Sequence, residues 1–130
     1  MKLCRVARGV WTVLALCSDD GSCALLDFLE DPDLDRREST KMLARIDHMA
    51  RAGPSKNKEQ FNTLGDDIFE LKTRMLRVFF FYDEGRVIVC SHGHKKEGQK
   101  LDPRQKERAL RVRTQYFADK ASRNVEVIDP

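Results

Sequence analysis

The sequence predicts an α+β domain in which a small antiparallel sheet is packed by an N-terminal helical hairpin and a C-terminal helix. Three observations carry this reading. Two stretches with helix-start signals lie before Gly53, and the second has a clear helical apolar period. Three short strand-like runs follow between Asp67 and Ser91, with turn residues between the last two. A further stretch with helical period opens at Pro103.

Val10–Cys17 (VWTVLALC) is apolar, partly β-branched and ends at Asp19-Asp20-Gly21, so it reads as a strand. Ser22 suits the cap of a short helix through Leu25, Leu26, Phe28 and Leu29. Asp31-Pro32 suits a second helix start, because proline at the first helical position loses no needed hydrogen bond. That helix carries Met42, Leu43, Ile46, Met49 and Ala50 on one stripe and stops at Gly53-Pro54. Lys56–Thr63 is polar and reads as a loop. In Asp67–Thr73, Ile68, Glu70 and Lys72 share one face and Phe69 and Leu71 the other. Leu76–Tyr82 is a second strand and Arg86–Ser91 a third, with Asp83-Glu84-Gly85 as the hairpin turn. Pro103–Phe117 is a helix with Ala109, Val112 and Tyr116 on one stripe. The whole chain, 1–130, is expected to form one domain with a tail from about residue 118.

Composition narrows the function classes. With 41% hydrophobic residues the chain is too apolar for a disordered one. No apolar run approaches the roughly 20 residues of a membrane span. The N-terminus lacks the apolar core of a signal peptide, so a cytoplasmic protein with no membrane partner is expected. Cys4, Cys17, Cys23 and Cys90 form no C-x-x-C pair and read as buried or half-buried thiols. The net charge of +3 is uneven. Met1–Ala52 carries 8 basic and 9 acidic side chains, whereas Gly53–Phe117 carries 14 and 9. Within His92–Arg113 the balance is 8 basic to 3 acidic, a local field suited to a polyanion such as nucleic acid.

Three clusters could carry chemistry. Lys72, Arg74 and Arg77 lie on the meander; His92, His94, Lys95 and Lys96 lie where its last strand ends; Lys100, Arg104, Arg108 and Arg111 follow. The last three are spaced to share a helix face, as a solvated, RNA-facing or partner-facing surface. Cations and histidines at strand ends suit RNA cleavage. The 2′-hydroxyl must lose a proton, the phosphorane gains charge, and the leaving 5′-oxygen needs a proton. That chemistry requires no metal or other cofactor. Cys90, His92 and His94 alternate and would face the same way, which permits zinc but lacks the usual ligand separation. Arg77 opens an otherwise apolar strand, either to bridge Glu70 on the neighbouring strand or to contact a scissile phosphate. No Gly-rich phosphate loop, G-x-S-x-G elbow or H-E-x-x-H motif is present.

The runs Phe69-Glu70-Leu71-Lys72, Leu76–Phe81, Gly85–Val89 and His92-Gly93-His94-Lys95-Lys96, continued by Gln99-Lys100, Pro103 and Ala109, resemble the phage-derived HigB-like branch of the RelE toxin superfamily. The resemblance covers roughly Val10 to Phe117. It departs at Lys72, where the family carries arginine, at His94, where phenylalanine is usual, and near Leu101, where the RelE branch carries tyrosine. What the resemblance implies is a RelE-like fold and a ribosome-dependent messenger RNA endoribonuclease that inhibits translation as the toxin of a toxin–antitoxin module. Its partners would be a helix-turn-helix antitoxin, messenger RNA and the ribosome. Arg77, His92, His94 and Lys96 are the expected catalytic groups. Lys72, Arg74, Lys95, Lys100, Arg104, Arg108 and Arg111 are the expected RNA-binding groups. The rival readings are a ParE-like toxin that poisons gyrase on the same fold and a nucleic-acid-binding module without catalysis.

Overall fold

The computed structural model describes residues 1–98 and 100–129. The chain opens with a hairpin of two strands, β1 (Lys2–Arg8) and β2 (Thr12–Leu16). Two helices follow, α1 (Ala24–Leu29) and α2 (Arg36–Ala52). Then come β3 (Phe61–Gly65), β4 (Ile68–Lys72), β5 (Leu76–Asp83) and β6 (Val87–Lys95). A long helix α3 (Pro103–Ala121) and a short strand β7 (Glu126–Ile128) complete the chain.

The strands form one seven-stranded mixed sheet in the order β3-β4-β5-β6-β2-β1-β7. β3 to β6 are an antiparallel meander, β2 lies parallel to β6, and β7 lies parallel to β1. This corrects the expected architecture, a small antiparallel sheet behind an N-terminal helical hairpin. The N-terminus is strands, α1 is only six residues long, and the sheet is larger and mixed. The strands that sequence reasoning missed sit at or near sheet edges. β1 carries Lys2, Arg5 and Arg8 among its apolar residues, and β3 is an edge strand exposed on alternate positions. β7 pairs with a segment more than 120 residues away, which no local pattern announces.

Helices cover both faces. On one, Leu25 and Leu29 of α1 and Met42, Ile46, Met49 and Ala50 of α2 pack on Val13, Leu71, Val78, Phe80 and Ile88. On the other, Ala109 and Tyr116 of α3 pack on Leu3, Leu14, Ile68, Phe79, Phe81 and Val89. β5 is buried on both sides, which is why it reads as an unbroken apolar run apart from Arg77. Each of its three fully buried phenylalanines contributes about 1.5–3 kcal/mol by removal from water.

Local chemistry sets the helix ends. α2 starts at Asp35, whose carboxylate accepts from the Arg37 and Glu38 amides, and not at Asp31-Pro32. It ends at Gly53, whose φ of 81° is costly for other residues. Leu43, expected on the buried stripe, is exposed. Asp102 caps α3, Pro103 occupies its first turn, and the helix runs beyond Phe117 to Ala121. Cys23 precedes α1, while Ser22 bonds Asp20 instead. Cys4 and Cys17 are joined as a disulfide across the β1–β2 hairpin, correcting the reading of all four cysteines as thiols. Cys23 and Cys90 are free and buried, and burial pushes the Cys90 thiol up to about 12. Among the described residues no helix is long and apolar enough to cross a membrane.

Candidate active site

The α3 face of the sheet gathers Glu70, Lys72, Arg77 and His94 of the meander. Strand alternation places Glu70 and Lys72 of β4 and Arg77 of β5 on this face, and pairing sets Lys72 opposite Arg77 and Arg77 opposite His94. Arg77 is buried, and its Nη1 donates to Glu70 Oε2 at 2.5 Å. Lys72 Nζ lies 4.0 Å from the other oxygen of Glu70. The bridge expected as one explanation of Arg77 is therefore present, and Arg77 still borders open space. It lines a cleft of about 310 Å³ with His94, Lys96, Lys100 and Arg104. Glu97 and Asp102 also line it, so four cations face two carboxylates, and Asp102 is already engaged by the Arg104 guanidinium and amide.

Lys96 follows β6 and is half-buried, its Nζ donating to the Thr73 carbonyl at 2.7 Å. Its pKa lies below the ordinary lysine value. Burial is the first cause, and the charges of Arg77 and Lys72 are next, opposed by Glu70 and Glu38. The cleft thus holds an excess of positive potential that an oxyanion would relieve.

His92 occupies a different setting. A bulge between the Phe79 and Phe80 pairings leaves Ser91 without a direct partner, so Cys90 pairs with Phe80 while His92 pairs with Phe79. Cys90 accordingly packs in the α1/α2 core, whereas His92 stacks on Phe79 on the α3 side at 4.9 Å between ring centres. The expectation that Cys90, His92 and His94 face the same way is overturned by this one extra residue. Among the described residues no group of three or more His, Cys, Asp or Glu is placed to hold a metal ion. Both ring nitrogens of His92 are engaged, Nδ1 with Ser91 Oγ at 2.8 Å and Nε2 with Gln105 Oε1 at 2.9 Å. Burial, reinforced by the Arg108 charge, pushes its pKa down to about 4. Since Gln105 Oε1 only accepts, Nε2 carries the proton and Nδ1 accepts from the serine hydroxyl.

The other expected RNA-binding groups are distributed around the cleft. Arg74 is exposed at the β4–β5 turn. Lys95 is exposed opposite Leu76, whose side chain belongs to the α1/α2 face, so it points away from the cleft. Arg108 and Arg111 are exposed farther along α3. Gln99 lies outside the described residues. Sequence reasoning did not single out the bracing of the Thr73–Met75 turn from α2. There, Glu38 accepts from the Met75 amide at 2.5 Å and Arg45 donates to the Lys72 carbonyl. These bonds span 37 and 27 residues, a separation that leaves no local signal.

No curated protein matches the chain. A family model described as phage derived protein Gp49-like (DUF891) matches residues 30–121, from the end of α1 through the whole of α3. The matched span carries β4, β5, β6 and every residue lining the cleft. The chain therefore belongs to the phage-derived Gp49-like family, a toxin-like family of toxin–antitoxin modules.

Proposed function

We propose that the protein is a RelE/HigB-type toxin that cleaves messenger RNA on translating ribosomes and is held in check by a helix-turn-helix antitoxin in the cytoplasm. The observation that carries this reading is the cleft in which Arg77, His94, Lys96, Lys100 and Arg104 converge. A phosphodiester seated there would place its non-bridging oxygens against Arg77 and Lys96. Guanidinium and ammonium groups in a partly dehydrated site stabilise the charge of a phosphorane. His94 lies on the cleft wall as the proton acceptor for the 2′-hydroxyl, since an imidazole serves this role near neutral pH. The O2′–phosphorus bond forms as the phosphorus–O5′ bond breaks. The leaving oxygen takes a proton from the Lys96 ammonium, whose lowered pKa makes it a better acid. The product ends are a 2′,3′-cyclic phosphate and a 5′-hydroxyl, and no metal is needed. His92, with both nitrogens engaged, acts in this scheme as a support for the strand end. Arg74, Arg108 and Arg111 would hold the flanking RNA.

The test is induced expression of the chain alone with 5′-end mapping of ribosome-bound transcripts. Growth arrest with new 5′-hydroxyl ends within reading frames is expected. Lys96→Met should abolish it, at a loss of about 100-fold or more in cleavage rate. Normal growth at confirmed soluble expression would refute the toxin reading. Arrest with intact transcripts and trapped gyrase–DNA complexes would place the protein with the ParE-like toxins instead.

A further inference from the structure

Glu38 stands third after the Asp35 cap of α2, the position from which a glutamate ordinarily reaches back to the amide of the cap. Here its Oε1 accepts instead from the Met75 amide at 2.5 Å, 37 residues along the chain. Its other oxygen lies 3.7 Å from Nζ of the exposed Lys41. Glu38 is buried, and a buried carboxylate is costly unless its bonds serve something. The turn it holds, Thr73–Met75, is the one on which Lys96 rests. The Lys96 amide donates to the Met75 carbonyl at 2.8 Å, and Lys96 Nζ donates to the Thr73 carbonyl at 2.7 Å. Within the turn, the Thr73 amide donates to the Leu76 carbonyl at 3.0 Å and the Leu76 amide to Thr73 Oγ1 at 3.1 Å. Backbone and side chain of Lys96 are thus fixed to one short turn. That turn is tied to α2 by Glu38 at the Met75 amide and by Arg45 at the Lys72 carbonyl.

We propose that Glu38 is a positioning residue for the cleft: by holding the Met75 amide, its carboxylate sets where the Lys96 ammonium stands. Its effect on cleavage rests on the proposed nuclease reading; its placement of Lys96 does not. Glu38 is not among the residues that line the cleft, so it acts only through the turn. A bond from an amide to a carboxylate is among the strong ones, and removing the acceptor leaves a partly buried amide that only a shift toward water can satisfy. Such a shift carries the Thr73 carbonyl, and Lys96 Nζ with it, and a misplacement of about 1 Å lowers a rate by about 100-fold. Position and charge leave opposite marks on Lys96. Burial is the first cause of its lowered pKa; Arg77 and Lys72 lower it further, and Glu70 and Glu38 oppose them. Deleting the Glu38 charge while keeping its bond therefore lowers the pKa again. Releasing the ammonium to water raises it toward the ordinary 10.5.

The test compares Glu38→Gln with Glu38→Asp. Glutamine keeps the length and the acceptor oxygen and removes the charge. Aspartate keeps the charge, suits the first turn of a helix, and withdraws the carboxylate by one methylene from the Met75 amide. In lysine-labelled protein the ε-methylene shift of Lys96, assigned against Lys96→Met, reports the titration of the ammonium. Cleavage of ribosome-bound message reports kcat and KM. Glu38→Gln should leave the Lys96 pKa at or below the parental value and kcat within about threefold. Glu38→Asp should raise the pKa toward 10.5 and lower kcat by about 10- to 100-fold, with KM within about twofold. An unmoved Lys96 or a parental kcat in Glu38→Asp would overturn the proposal. So would a kcat that falls as far in Glu38→Gln, which would assign Glu38 an electrostatic role instead. Should Glu38→Asp unfold, Glu38→Gln decides by sign, since a Lys96 pKa that rises in it refutes the placement. The spectra need no cleavage. Lys96 shifting as expected in proteins that leave messages intact would keep the placement and reject the nuclease reading; cleavage by the parent with Lys96 unmoved in Glu38→Asp would do the reverse.

Discussion

Acidification should destabilise this protein through His92 before it titrates the carboxylates. His92 is 5% exposed, stacks on Phe79 and accepts the Ser91 hydroxyl at Nδ1, the atom that would take the added proton. Its folded pKa is pushed down to about 4 from the ordinary 6.5, so the unfolded chain binds the proton more tightly. The stability this contributes is fully present above pH 6.5 and is lost as pH falls from there toward 4. Between these two values linkage gives a loss of about 2 kcal/mol by pH 5 and about 3 kcal/mol by pH 4. Such a loss is a large fraction of the marginal stability of a small domain. The carboxylates with lowered pKa values, such as Asp83 beside Tyr116 and Lys120, contribute their own loss mainly below pH 4, outside this window. Urea unfolding of the parent and of His92→Gln at pH 7, 6, 5 and 4.5 isolates the effect, because glutamine does not titrate. The parent should lose about 2 kcal/mol more than the variant between pH 7 and 5. Parallel curves, or a directly observed His92 imidazole titrating near pH 6.5, would refute the argument. The latter measurement needs no variant.

Substitutions at Arg77 and Glu70 separate structure from chemistry. Arg77→Ala strands the buried Glu70 carboxylate and should cost about 3–5 kcal/mol in urea unfolding, with Lys72 offsetting part of it. The double change Glu70→Leu with Arg77→Met removes both charges and should recover most of that stability, yet leave cleavage down by about 100-fold or more. Recovery of cleavage along with stability would reduce Arg77 to a structural role. At the β1–β2 turn, a Cβ on Gly9 would lie 2.4 Å from the Ala50 carbonyl oxygen, which already accepts from the Trp11 amide. Gly9→Ala must therefore push the hairpin off the end of α2. A loss of about 1–3 kcal/mol is expected, and an unchanged melting temperature would show that the turn yields freely.

Where a side chain's role is written in its immediate neighbours, the sequence was enough. The stripe of Met42, Ile46, Met49 and Ala50, the stop at Gly53 and the alternation of Ile68, Glu70 and Lys72 all follow from local period and local caps. The three meander strands and α3 are legible for the same reason, and so is the gathering of cations around residues 72–111. What lay beyond reach depends on contacts between distant segments. The parallel pairings β2–β6 and β1–β7 convert a small antiparallel sheet into a seven-stranded mixed one, and parallel partners carry no hairpin signal. Ser91 carries no local signal of a bulge, yet it sends Cys90 and His92 to opposite faces. Burial then decides the rest. The same imidazole that sequence chemistry offers as an acid–base group is buried and bonded at both ring nitrogens once α3 brings Gln105 and Arg108 against it. Side-chain type and spacing determined which charges this protein has to use. Only tertiary packing, by choosing which of them keep water and which lose it, decided that His94 and Lys96 border the cleft while His92 does not.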